Sequence, residues 1–132
     1  MTVHNCTALL NVADVERSLA FWQAVLGFEV VTRFEPDGRL MFAMLQSGET
    51  PLMLNGRGSD PAERRARSDY TDAVLYFRVD DVRETYAMLR ANGVEVGEPQ
   101  AQEYGLDEII LRDPDGYEIA FTSPTDFARR SV

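Results

Sequence analysis

Apolar and polar positions alternate along residues 6 to 12, with Ala8, Leu10 and Val12 on one side and Thr7, Leu9 and Asn11 on the other, which predicts a strand. Asp14 then stands where a helix needs a side-chain acceptor for its free N–H groups, and Leu19, Trp22, Val25 and Leu26 follow at helical spacing. Gly27 ends that helix. Further along, the pattern predicts a strand at 28–34, a turn at Glu35-Pro36-Asp37-Gly38, a strand at 39–46, a turn at Gly48 and a short strand at 51–54. A second strand–helix–strand run opens at 73–79, with Asp81 as helix cap reinforced by Glu84 and Gly93 as the stop. Strands are predicted at about 94–98, 106–112 and 117–122, the last two joined by Asp113-Pro114-Asp115-Gly116, whose carboxylates read as turn residues.

The two runs are versions of one another. Pairing Thr7 with Val74 through Ala24 with Ala91 gives five identities: Val12/Val79, Asp14/Asp81, Val15/Val82, Ala20/Ala87 and Ala24/Ala91. Chance would give about one in 18 pairs, so the chain is an internal repeat. A single-residue gap then aligns Gly27 with Gly93, Glu29 with Glu95 and Val30 with Val96. The expected organisation is one domain over 1–132, with module one at 1–54, a linker at 55–72, module two at 73–122 and a tail at 123–132. The linker holds a helix start at Asp60-Pro61-Ala62-Glu63 and an Arg64, Arg65, Arg67 cluster that reads as a solvated face. The tail has no strong pattern, with Phe127 as its one candidate anchor.

Composition narrows the function classes. A chain of 132 residues, 45% hydrophobic, is large enough to bury a core without disulfide or metal. No apolar run reaches the roughly 18 residues of a membrane span and no signal sequence leads the chain, so a soluble cytoplasmic protein is expected. Cys6 has no partner and reads as a small buried hydrophobe; His4, before the first strand, reads as a surface residue. The formal charge of -9 argues against nucleic acid or an anionic membrane as partner and leaves neutral or cationic small molecules. All 13 basic residues are Arg, which excludes lysine Schiff-base chemistry. The acids are uneven: residues 73–132 carry 12 acids and 6 Arg, against 6 and 3 in residues 1–54.

The repeated strand–helix–three-strand order, VADVERSLAFWQAVLGF near the start and LRDPDGYEIAF near the end resemble the vicinal oxygen chelate superfamily of glyoxalase I, bleomycin and fosfomycin resistance proteins and extradiol dioxygenases. The resemblance implies an α+β fold of tandem βαβββ modules forming a curled mixed sheet with a shared cleft, usually in a homodimer. The superfamily's metal ligands, carried over residue by residue, fall on Thr7 and Val74 in the first strands and on Met53 and Ala120 in the last. None is an adequate ligand. A single His also rules against a two-His, one-carboxylate iron site. No metal and no cofactor is therefore expected, although Glu118, two residues from Ala120, and Glu108 are weak candidates for an atypical metal site or a catalytic base.

Given that fold, period-2 alternation sends Ala8, Leu10, Val12, Ala43, Leu45, Leu52, Leu54, Leu75, Phe77, Val79, Ile109, Leu111, Ile119 and Phe121 toward the helices. The opposite face takes Thr7, Leu9, Asn11, Phe42, Met44, Met53, Val74, Tyr76, Glu108, Ile110, Arg112, Glu118 and Ala120. Of these, Thr7, Leu9, Phe42, Met44, Met53, Val74, Tyr76, Ile110, Arg112 and Ala120 form the expected ligand-binding set, with Tyr104 as a lid or core cover. Trp22 is expected in the core. The leading expectation is a metal-free binding protein of the bleomycin-resistance type that sequesters a planar or cationic compound in a dimer cleft. The competing one is a glyoxalase-like lyase or isomerase using an atypical carboxylate metal site or a Glu base, and a ligand-free interaction module is the third.

Overall fold

The computed structural model describes residues 1–58 and 60–125. The chain divides into two compact units, one of Met1–Ala66 with Pro114–Gly116, the other of Arg67–Asp113 with residues 117–125. Phe127, the expected tail anchor, lies outside the described residues.

The first unit runs β1 (Ala8–Asn11), α1 (Val15–Leu19), β2 (Glu29–Phe34), β3 (Phe42–Ser47), β4 (Thr50–Asn55) and a short α2 (Ala62–Arg65). Its sheet has the order β1-β4-β3-β2, with β1 and β4 parallel and the other pairs antiparallel. The second unit runs β5 (Val74–Arg78), α3 (Val82–Ala91), β6 (Gln100–Ala101), β7 (Leu106–Arg112) and β8 (Glu118–Pro124). Its order is β5-β8-β7-β6, again with the first and last strands parallel. The repeat read from the sequence is thus a repeat of βαβββ topology, and the fold is α+β.

The two repeated helices, α1 and α3, start in the same way. Asp14 accepts from the Arg17 amide at 3.3 Å and Asp81 from the Arg83 amide at 3.0 Å, each with extended backbone before the first helical residue. Both stop at a glycine in the left-handed region, Gly27 at φ 79° and Gly93 at φ 80°, a conformation that costs a residue without Cβ little. Between cap and stop, however, the first copy has one residue more than the second. It absorbs that residue by widening: Ala20–Val25 form a π turn in which the Leu26 amide reaches back five residues to the Phe21 carbonyl at 3.0 Å. The regular helix expected from Asp14 to Gly27 is therefore α-helical only over Val15–Leu19, and the alignment gap marks where it widens.

Strand alternation delivers the expected inner faces. Leu10, Val12, Ala43, Leu45, Leu52 and Leu54 are buried in the first unit, with α1 packed on β3 and β4. Trp22 is fully buried and meets Phe28 edge-on at 5.2 Å. In the second unit α3 packs on β7 and β8 over Ile109, Ile119 and Phe121, with Phe77 stacked on Phe121 at 5.8 Å.

Several expectations need correction. Residues 94–98 form no strand; the edge strand is Gln100–Ala101, beyond Gly97 and Pro99, which interrupt a β ladder. The last strand continues through Ser123 to Pro124 rather than ending at 122, and the Ser123 hydroxyl accepts from the Val82 amide at 2.9 Å, closing the start of α3. Cys6 is exposed, because β1 begins only at Ala8. The Arg cluster is not merely solvated: Arg64 Nη1 donates to the Asp115 carbonyl at 2.7 Å and Arg65 Nη2 to the Pro114 carbonyl. Asp115 is more than a turn residue, since its buried carboxylate accepts from the Ala13 amide at 2.9 Å and pairs with Arg17 at 3.3 Å. Asp113 does serve the turn, accepting from the Tyr117 amide at 2.8 Å.

Candidate functional site

The expected ligand-binding residues that fall within strands lie on the sheet faces that alternation assigned. In the first unit Leu9, Met53 and Met44 stand side by side across β1, β4 and β3, and the next row holds Asn11, Asn55, Phe42 and Phe34. Thr32 extends the first row on β2 and the two Asn side chains of the second are bonded at 3.0 Å; the other residues of both rows are apolar, with Leu9 and Phe34 exposed. Thr7 precedes β1.

In the second unit the corresponding face carries chemistry. One row aligns Val74, Glu118 and Arg112; the next Tyr76, Ala120 and Ile110; the third Arg78, Thr122, Glu108 and Gln100. Ala120 and both glutamates are buried. Glu118 pairs with Arg112 at 3.6 Å, and each of its carboxylate oxygens lies 3.0 Å from the Tyr70 amide. Arg112 also donates to the Arg67 carbonyl at 3.1 Å and lies 3.5 Å from the Asp69 carboxylate. These contacts fix the segment leading into β5 and hold Tyr70 in a left-handed conformation, φ 62°.

Tyr70 is thereby aimed at Glu108. Its hydroxyl donates to Glu108 Oε1 at 2.7 Å, the Tyr76 hydroxyl donates to the same oxygen at 3.2 Å, and the Tyr104 hydroxyl donates to Oε2 at 2.5 Å. A carboxylate serves here purely as acceptor for three phenols. Glu108 is 3% exposed, yet the tyrosines around it are 56%, 50% and 59% exposed for Tyr70, Tyr76 and Tyr104. The hydroxyls are tied down and much of the ring surface faces water. Donation to Glu108, with partial burial and the carboxylate charge adding, pushes the Tyr70 and Tyr104 hydroxyls well above the usual tyrosine range.

Sequence reading found Tyr76, Tyr104, Arg112, Glu108 and Glu118, which the structure joins in one network, and missed Tyr70. The signal available was an aromatic residue in an otherwise polar linker, four residues before a strand that carries another tyrosine.

A catalytic metal does not fit these residues. Of the four positions inherited from the superfamily, Thr7 offers only a neutral hydroxyl, Met53 sits between Leu9 and Met44, Val74 beside Glu118, and Ala120 between Tyr76 and Ile110. The nearby carboxylates spend their oxygens on phenols, an amide and a guanidinium. Among the described residues no group of three or more His, Cys, Asp or Glu side chains converges as a metal site.

The chain thus carries two βαβββ units, one of them with a concentrated polar network on the outer face of its sheet. Residues 3–121 match the family model of the Glyoxalase/Bleomycin resistance protein/Dioxygenase superfamily, and the chain belongs to that family. It is 30% identical to a lactoylglutathione lyase of Haemophilus influenzae over 121 residues, covering 86% of this chain and 87% of the relative. Among solved structures it resembles TnmS3, an antibiotic-binding protein of Streptomyces sp. CB03234, with TM-score 0.71 and 22% identity over 95% of this chain and 99% of the other. It also resembles a bleomycin-binding protein in complex with bleomycin, with TM-score 0.70 and 24% identity over 93% and 100%. Among the described residues no helix is long and apolar enough to cross a membrane.

Proposed function

We propose that this chain is a small-molecule-binding protein of the bleomycin-resistance type, which sequesters a planar or cationic compound without changing it chemically, as a cytoplasmic homodimer. One observation carries the reading: three tyrosines expose about half of their surface while their hydroxyls are anchored on the buried carboxylate of Glu108. Rings held this way supply rigid contact area at little entropic cost, and aromatic surface is what a planar ligand stacks on. The fold shared with two antibiotic-binding proteins supports the same reading. The remaining expected contacts, Thr7, Leu9, Phe42, Met44, Met53, Val74, Ile110, Arg112 and Ala120, belong to this proposal.

Titration with bleomycin and other planar, basic antibiotics tests it. The expected result is saturable binding, recovery of the compound with unchanged mass, and loss of affinity in Tyr76→Ala with an unaltered circular dichroism spectrum. A compound recovered in modified form, or affinity untouched in Tyr76→Ala, would count against it.

A second reading, a glyoxalase-like lyase using Glu108 or Glu118 as base, is favoured by the identity to lactoylglutathione lyase. A base needs an oxygen free to take the proton. Both glutamates already accept from protein donors, so turnover in a lactoylglutathione lyase assay that disappears in Glu108→Gln is the result required to prefer this reading.

A further inference from the structure

The two buried glutamates of the second unit differ in how their charge is balanced. Glu118 has a guanidinium, that of Arg112 at 3.6 Å. Among the described residues Glu108 has none: its partners are the hydroxyls of Tyr70, Tyr76 and Tyr104. Phenol dipoles satisfy its lone pairs but bring no positive charge to a group only 3% exposed. A phenol that donates to a carboxylate also gains electron density, which strengthens the attraction of its ring face for a cation. Buried charge without a counter-ion, ringed by exposed aromatic surface, is the arrangement that recognises organic cations.

We infer that the ligand is an organic ammonium carrying an aromatic group, with Glu108 as its counter-charge and the rings of Tyr70, Tyr76 and Tyr104 as its walls. This deepens the binding reading above and rests on it. The ammonium contributes the charge that the site lacks, and the aromatic group covers the tyrosine rings. The acidic excess of residues 73–132 favours approach of the same class of ligand. A neutral aromatic of the same shape meets the same rings and forgoes the charge.

The test compares 2-phenylethylammonium with its neutral counterpart 2-phenylethanol, followed by NMR of ring-labelled tyrosines on the full chain. The expected result is that the ammonium binds at least about tenfold more tightly than the alcohol, a difference of about 1.4 kcal/mol, and that this margin shrinks as salt is raised. Glu108→Gln is expected to weaken the ammonium more than the alcohol and so to erase the margin between them. The ammonium and salt comparisons use the unaltered protein, so they decide the matter even where the variant fails to fold. Equal affinity for the two probes overturns the cation inference and leaves the aromatic binding reading standing. Absence of binding by both probes overturns the inference, and if bleomycin and the other planar antibiotics also fail to bind, the binding reading falls with it.

Discussion

Across the sheet of the first unit the outer rows read Leu9, Met53, Met44 and Asn11, Asn55, Phe42; across the second they read Tyr76, Ala120, Ile110 and Arg78, Thr122, Glu108. The repeat makes these positions equivalents. Phe42 corresponds to Glu108, Leu9 to Tyr76, and the paired Gln46 and Pro51 to the paired Arg112 and Glu118. On the inner faces the exchange is conservative: Leu10 corresponds to Phe77, and Trp22 to Leu89, both fully buried. Two copies of one topology have kept the apolar side that holds sheet to helix and diverged on the side that faces away. The packed faces are therefore alike in the two copies and the outer faces are not, the buried glutamates and the tyrosine network lying on the second.

The sharpest break of that comparison is in the core. Trp22→Ala is expected to cost about 3–5 kcal/mol and Leu89→Ala about 2–5 kcal/mol, read from urea denaturation followed by circular dichroism. Each empties the equivalent position under its own helix. A loss below 1 kcal/mol at either site would mean that the two helices do not share the role the repeat assigns them.

Asp115 comes next, with an expected loss of about 1–3 kcal/mol in Asp115→Ala, because the Ala13 amide and Arg17 lose a buried acceptor. Restoration by Asp115→Asn of more than half that loss would show that the amide bond matters more than the charge.

Alkaline titration separates the two outer faces. The tyrosines bonded to Glu108 have no equivalent in the first sheet, where Tyr76 is replaced by Leu9 and Glu108 by Phe42. For Tyr70 and Tyr104 the folded value lies above the unfolded one. The unfolded chain then binds fewer protons than the native one above the ordinary tyrosine range. This contribution to stability is fully present below pH of about 10 and is lost as pH rises through the raised folded values. Tyrosinate absorbance should reveal a late-titrating group of residues, and Glu108→Gln should return them to the ordinary range. An identical titration curve in that variant would dissolve the network.

How much of this was legible follows from the same division. Caps, stops and strand faces rest on local rules, so Asp14, Asp81, Gly27, Gly93 and the alternation of β7 could be read directly. The turn position of Asp113 could be read too. The second role of Asp115 could not, because its partners Ala13 and Arg17 lie about a hundred residues away. The outer face was assigned by periodicity, but its network was not, since Tyr70 arrives from a loop whose conformation depends on Glu118 and Arg112. Cys6 was misread because alternation continues past the point where pairing stops.

The smallest expected change in stability falls on Tyr70, and it tests whether recognition is separable from folding. A non-glycine residue at φ 62° costs about 1–2 kcal/mol relative to glycine, and Tyr70→Gly recovers that. The variant also forfeits one hydroxyl bond to Glu108, an exchange of similar size and opposite sign. Net stability should move by less than about 1 kcal/mol, while affinity for the ammonium probe falls. Backbone strain of this kind persists where the surroundings over-determine it, here through the Glu118 and Arg112 contacts, and it aims the ring at Glu108. A loss of several kcal/mol with ligand affinity retained would make Tyr70 a strap for the sheet. Unchanged stability with weakened affinity would assign the strain to the binding face.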